Sequence, residues 1–366
     1  MRKINPANEL AKRNYLAWLR NARGMSPATI DQAAAAIDSF AASTRQADFK
    51  TFRREQVISY KEALARQVNP DTGKPLAKAT LNSRVKVLRA FFEWLSQEPG
   101  YRRTVRFSDA AYFNLTANEA RIATAARPQR TPSLEQVLAV LDAMPEETIV
   151  QRRDRALIAF ILLTGVRDSA AITLRLKHVD LAKGQVNQDA REVHTKRAKT
   201  IQTFFFPVGD RPRDIVADWI AELRAVLFGP DDPLFPTTRL DLNAEGRFAP
   251  AGVSREAWTT TAPARDVFRK AFAAAGLETF GPHSLRRTLM RLAYDLNLGP
   301  RELKAWSQNL GHEGVLTSFT SYGALGLDEQ ARVMAALEEA PVNDTGPEDT
   351  EIMREIAALA RRIRRA

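Results

Sequence analysis

The sequence predicts a mainly α-helical chain with a small antiparallel sheet, an α+β fold arranged in two domains. Two stretches and the length carry that expectation. Residues 6–98 place apolar side chains at helical spacing almost without interruption, whereas residues 178–208 switch to β-branched and aromatic residues between turn signals. At 366 residues the chain exceeds the usual size of one domain.

The first domain is placed at residues 1–98. ANELAKRNYLAWLRNA opens it as an amphipathic helix. SPATIDQAAAAIDSF follows, with Ser26 at the N-cap, where its hydroxyl satisfies an orphan backbone N–H, and Pro27 at the first helical position, where a missing N–H is harmless. REQVISYKEALARQV gives a third helix, ended by the turn cluster NPDTGKP. The fourth, LAKATLNSRVKVLRAFFEWLSQ, carries an apolar stripe through Val85, Leu88, Phe92 and Leu95. Its polar residues Lys78, Asn82, Arg84 and Lys86 form either a solvated face or a surface for a polyanion.

Pro99 and Gly100 stop that helix, and residues 99–132, polar, arginine-rich and aperiodic, read as an interdomain linker with at most a short helix. A second domain is placed at 133–340. Ser133 with Gln136 has the spacing of a capping box, and RRDRALIAFILLTGV reads as a buried helix. HVDLAKGQVNQDAREVHTKRAKTIQTFFFPV reads as about three antiparallel strands, with Val193 and residues 200–206 in extended structure. Helical texture returns at Arg213, breaks at GPDDPLFP and a polar insert, and is expected to resume from Ser254. PVNDTGPEDT then separates a C-terminal tail, 341–366, whose last segment aligns Ile352, Ile356, Leu359 and Ile363 on one helical stripe.

Composition narrows the function classes. Lys and Arg total 54 against 43 Asp and Glu, a formal charge of +11, which favours a polyanionic partner, nucleic acid before a membrane surface. The longest apolar run ends at Arg167, well short of the ~20 residues that span a bilayer. The first residues hold no apolar secretion segment, so a cytoplasmic protein is expected. With no cysteine, disulfides, thiolate metal sites and thiol nucleophiles are excluded, and four dispersed histidines make a structural zinc site an unpromising reading.

Polar residues of unusual kind gather in three places. In TGVRDSAAITLRL, Arg167 ends the buried helix, where a guanidinium needs an anionic partner. In GPHSLRRTLMRLAYD, His283 and Arg286 stand three apart, on one side of a helix that begins near Ser284. In LGHEGVLTSFTSYG, Gly311 precedes His312, and Tyr322 follows ten positions later. Taken singly, each has an ordinary reading: an ion pair, a helix start, a loop histidine and a core tyrosine.

Taken in order, TGVR, HSLRR and LGHEG…SY resemble the tyrosine recombinase, or phage integrase, family over roughly residues 133–330, and the helical first domain resembles that family's core-binding domain. The resemblance implies a site-specific DNA recombinase that clamps duplex DNA between its two domains. Arg167 and Arg286 would neutralise the scissile phosphate, and Tyr322 would attack phosphorus to leave a 3′-phosphotyrosyl link. His283 would assist proton transfer, and His312 would donate a hydrogen bond to the phosphate. A lysine between the second and third strands would protonate the leaving 5′ oxygen. Two compete: Lys196 follows a strand as the family's Thr-Lys element does, while Lys199 has the better distance to Pro207; Lys196 is preferred. Lys78, Asn82, Arg84 and Lys86 would contact DNA. No ATP, metal or other cofactor is implied. The expected partners are double-stranded DNA and further copies of the chain, as dimers and tetramers on DNA, in a prokaryotic cytosol. The sequence departs from the family at Ala170, where an acidic residue is usual; either Asp168 holds Arg167 or another segment does. A type IB topoisomerase and a non-catalytic DNA-binding protein of the same fold are the alternatives.

Overall fold

The computed structural model describes residues 4–69, 73–125 and 130–312. The tail, Tyr322 and the rest of the chain beyond His312 lie outside the described residues. The chain divides into two units, Met1–Ala126 and Arg127–Ala366.

The first unit is helical. Its main helices are α1 (Pro6–Asn21), α2 (Pro27–Ser43), α3 (Arg54–Arg66) and α4 (Lys78–Leu95). Asn5 caps α1 through the amides of Ala7 and Asn8, and Ser26 caps α2 through Thr29. Asn8, although polar, is buried because its amide is fully employed: Nδ2 donates to Ala47 O at 2.8 Å, and Oδ1 accepts from Phe49 N at 2.9 Å. The core is aromatic, with Phe92 4.5 Å from Phe52 and 5.0 Å from Phe113 between ring centres.

Phe113 revises the linker. Val105, Ala110 and Phe113 belong to the core of this unit, Phe113 with 0% exposure, and Arg54 pairs with Asp109 at 2.8 Å. The segment from 99 to Thr124 therefore packs on the helices as a 3-10 turn (Phe107–Phe113) and α5 (Ala117–Thr124). Its few apolar residues are spaced for irregular backbone, so helical periodicity does not reveal them.

The second unit is built around α7 (Ile149–Thr164), buried from Ala156 to Thr164. α6 (Leu134–Ala143) precedes it behind the Ser133–Gln136 capping box. After α8 (Asp168–Ala171) come β1 (Val179–Asp180), β2 (Gln185–Gln188) and β3 (Ile201–Phe204), an antiparallel sheet in the order β1-β2-β3. Val193 is buried but lies in the β2–β3 loop, outside the strands. α9 (Asp210–Ala225) packs on α7.

A second hairpin follows, β4 (Pro236–Leu242) and β5 (Phe248–Ala257). It corrects the expectation of helix from Ser254, which sits in β5. Asn243 Oδ1 accepts from Glu245 N and Arg247 N, at 3.1 and 2.9 Å, which turns the chain. Arg153 of α7 anchors the base of the hairpin, donating to Pro236 O and Thr238 Oγ1 at 3.0 and 2.9 Å, with its guanidinium 5.0 Å from the centre of the Trp258 ring. α10 (Ala262–Ala274), α11 (Pro282–Asp295) and α12 (Pro300–Asn309) complete the described part of the unit.

Candidate active site

Within the described part of the second unit, Arg167, His283, Arg286 and His312 lie at or near helix ends, and Lys196 and Lys199 lie in the β2–β3 loop. α7 closes on Gly165, in the left-handed region at φ 63° with its N–H bonded to Ile161 O, and the next turn presents Arg167 at the start of α8. A side chain at 165 would have no room: a Cβ would stand 2.6 Å from Leu310 Cδ2 and 3.1 Å from both Leu289 Cδ1 and Phe206 Cε2. Glycine is therefore required twice over, by conformation and by packing.

His283 and Arg286 lie on the first turns of α11. Arg286, with 2% exposure, is the joint of the site. Its Nη1 donates to Gly165 O, and its Nη2 donates to Leu310 O at 2.6 Å and lies 3.2 Å from His312 Nε2. One guanidinium thus ties the end of α7 to the end of α12. A guanidinium only donates, so His312 accepts at Nε2 and carries its ring proton on Nδ1.

His312 follows α12 through a tight C-terminal turn. Gly311, at φ 65°, donates to Gln308 O, and His312 N donates to Ser307 O. The position of the turn is set by Asn309, whose side-chain amide pairs with β3 like a piece of strand: Oδ1 accepts from Phe204 N at 2.6 Å and Nδ2 donates to Phe204 O at 2.9 Å. Nothing in the sequence pattern marks Asn309 as a builder of the site, and Gly165 is seen there only as a neighbour of Arg167 in TGVR.

Burial pushes His312 down to about 4, helped by the positive charges of Arg286 and Arg167, by His283 and by Lys196. His283 is shifted in the same direction, first by the protein packed around it and then by Arg286, Arg287 and Arg167, with Asp168 opposing; this holds although the residue is exposed on one side. Both imidazoles are therefore neutral at pH 7. Arg286 and Arg167 act on both rings, and His283 and Lys196 act on His312. Lys199 is exposed in the same loop as Lys196. Asp168 is engaged with Arg265 of α10 at 2.9 Å and with Ser169 N.

In the first unit, Lys78 pairs with Glu119 at 3.5 Å, Arg84 donates to Gln67 at 3.2 Å, and Lys86 is exposed. Asn82 departs from the expected DNA contacts, since it is buried with 9% exposure among the apolar residues of α4. Among the described residues no helix is long and apolar enough to cross a membrane, and no group of three or more His, Asp or Glu side chains is placed to hold a metal ion.

The second unit is mainly helical, and Arg286 ties the end of α7 to the turn that carries His312. The family model described as the phage integrase family matches residues 133–323, more than half of the 366 residues, and the chain belongs to that family. Among curated proteins, it is 28% identical over 196 residues to tyrosine recombinase XerC of Pseudomonas fluorescens, a match covering 52% of this chain and 55% of that protein. It is 25% identical over 247 residues to tyrosine recombinase XerD of Vibrio vulnificus, covering 66% and 68%. Among solved structures, a lambda integrase dimer bound to a core site superposes with a TM-score of 0.59 at 15% identity, covering 87% of this chain and 96% of that one. The Tn1549 transposon integrase in complex with transposon right end DNA gives 0.56 at 14% identity, covering 90% and 99%. These likenesses establish the fold.

Proposed function

We propose that the chain is a site-specific DNA recombinase that cuts and rejoins strands through a 3′-phosphotyrosyl intermediate. The observation that carries this reading is Arg286, buried between Gly165 O and Leu310 O and within 3.2 Å of His312 Nε2. A buried cation tied on two sides to backbone carbonyls is a preorganised donor that needs no rearrangement as negative charge develops on a phosphate.

In this reading Arg167 and Arg286 neutralise the non-bridging oxygens of the scissile phosphate. Arg286 occupies His312 Nε2, which leaves Nδ1–H to donate to the phosphate. Neutral His283 takes the phenolic proton as the Tyr322 oxygen bonds to phosphorus, and the bond from phosphorus to the 5′ oxygen breaks as Lys196 transfers a proton to that oxygen. Phosphate ester energy is kept in the tyrosyl link, so rejoining needs neither ATP nor metal. Lys196 is favoured over Lys199 because it follows Thr195 as the family's Thr-Lys element does. Tyr322 is assigned by the motif alone.

Duplex DNA is the partner, consistent with the +11 charge and with the DNA-bound integrases that share the fold. Lys78, Arg84 and Lys86 contribute contacts from the first unit, and two copies pair on each site and four on a synapse, in a prokaryotic cytosol. The relatives named as tyrosine recombinases favour this reading over a topoisomerase. The test starts by selecting a bound duplex from a random-sequence pool and placing a nick near its centre. The protein should become covalently attached to that duplex, seen on denaturing electrophoresis. If no selected duplex yields an adduct, the catalytic reading fails and DNA binding without catalysis remains.

A further inference from the structure

The loop carrying Lys196 has a conformation that must be held from outside. Directly after Lys196 stand two residues with positive φ that are not glycine, Arg197 at 61° and Ala198 at 49°. L-residues enter that region reluctantly, and rarely two in succession, unless the surrounding structure over-determines them.

A set of contacts fixes the N-terminal side of the loop. Glu192 accepts from Lys177 Nζ, at 3.0 Å to Oε1 and 2.8 Å to Oε2, and its Oε2 is 2.9 Å from His178 Nε2. His178 is itself immobile: it is 5% exposed, and its Nδ1 accepts from Arg175 N at 2.9 Å. With Nδ1 accepting, the ring proton of neutral His178 is on Nε2 and is donated to Glu192. Lys177 is held in turn by Asp231 at 2.8 Å. The next residue, Val193, is buried in the core, and His194 N donates to Thr173 Oγ1 at 2.9 Å. Three consecutive residues are thus pinned by side chain, core and backbone, and Lys196 follows two positions later. The Lys177 ammonium and the His178 ring hold the Glu192 carboxyl below its ordinary range, so it is charged at neutral pH.

We propose that Glu192, clamped by His178 and Lys177, is a positioning residue for Lys196, fixing the take-off of the loop so that the ammonium reaches the leaving oxygen. The proposal rests on the reading of Lys196 as general acid. The bland competitor is a clamp that only stabilises the sheet, and the two differ in what a change of leaving group does.

The experiment uses the full-length protein and the nicked duplex selected above, made with either oxygen or sulfur at the 5′-bridging position of the scissile phosphate. Sulfur leaves without a proton, so a defect in proton delivery disappears while a defect in folding or phosphate contact persists. Glu192→Ala is expected to slow cleavage of the oxygen substrate roughly 10- to 100-fold and to cleave the sulfur substrate at nearly the parental rate. Glu192→Gln, which keeps an acceptor for His178, should lie between the two proteins on oxygen. Lys196→Ala runs in parallel. If Lys196→Ala is rescued by sulfur and Glu192→Ala is equally slow on both substrates, the clamp is merely structural and this proposal falls alone. If Lys196→Ala is not rescued, the general-acid assignment falls and takes the proposal with it. Parental rates for Glu192→Ala on both substrates also overturn it, and so does an unfolding midpoint so lowered that Glu192→Gln too loses activity on both.

Discussion

Replacing Gly165 with alanine attacks the site where conformation and packing coincide. The φ of 63° costs an L-residue about 1–2 kcal/mol relative to glycine. A Cβ 2.6 Å from Leu310 Cδ2 and 3.1 Å from Leu289 and Phe206 adds overpacking of about 1–3 kcal/mol. Leu310 is 2% exposed and has nowhere to swing. The sum is a loss of roughly 2–5 kcal/mol from the second unit, and about 2–4 °C of melting temperature per kcal/mol for a unit of this size. Gly276→Ala is the control, because Gly276 has φ 70° but nothing within 4 Å of a Cβ, so it feels the backbone cost alone. Thermal and urea unfolding would be followed by tryptophan fluorescence in a Trp18→Phe, Trp94→Phe background, leaving Trp219, Trp258 and Trp306 of the second unit as reporters. If Gly165→Ala is no worse than Gly276→Ala, the close approach of Leu310, Leu289 and Phe206 is refuted. A loss below about 1 kcal/mol in both would refute the left-handed conformations as well.

The remaining predictions concern the chemistry. Tyr322→Phe should bind the selected duplex as the parent does and form no covalent adduct; an adduct in the variant would mean that another residue is the nucleophile. Arg167→Ala should cut cleavage by about 10²–10³ while weakening binding far less, since it removes one charged contact to the developing transition state; a near-parental rate would remove Arg167 from the site. Lys196→Ala should be rescued by a 5′-bridging sulfur and Lys199→Ala should not need rescue; the opposite pattern would transfer the role to Lys199. His312 should titrate near 4, against 6.5 for a free ring, by NMR. Because the unfolded ring takes up a proton more readily than the folded one, stability should fall as pH drops from about 6.5 towards 4, and His312→Gln should flatten that slope. A midpoint at or above 6.5 would contradict the burial and the cationic surroundings.

Much of the fold is legible because local signals agree with it. Ser26 with Pro27, and Ser133 with Gln136, mark helix starts through capping chemistry that needs no tertiary partner. The three-stranded sheet shows in a change of residue type. What stays hidden depends on non-local packing. Phe113 belongs to a core that only the folded helices create. Ser254 sits in a hairpin whose exposed strands carry Leu240, Leu242 and Phe248 with no regular alternation between buried and exposed sides. Asn82 is polar yet buried, an outcome set by the rotation of α4 rather than by residue type. For the site, Arg167, His283, Arg286 and His312 stand out by their order along the chain, whereas Gly165 acts through its conformation and its carbonyl and Asn309 acts on the backbone of Phe204, and a sequence does not advertise which backbone groups will be touched.

Asn309 has a bearing on solubility as well as on geometry. Among the described residues β3 is the outer strand of its sheet, and an outer strand offers bare amide and carbonyl groups to any other chain that can extend alongside it. At Phe204 both groups are already taken by one side-chain amide. The chain thus seals part of its own border with two atoms and without spending a further strand. Aspartate at 309 would keep the acceptor, lose the donor and turn a carboxylate towards the Phe204 carbonyl, reopening that border beside the exposed Phe204 ring. The growth of large particles on mild heating, measured by light scattering, would register the reopened edge even where the melting temperature barely moves.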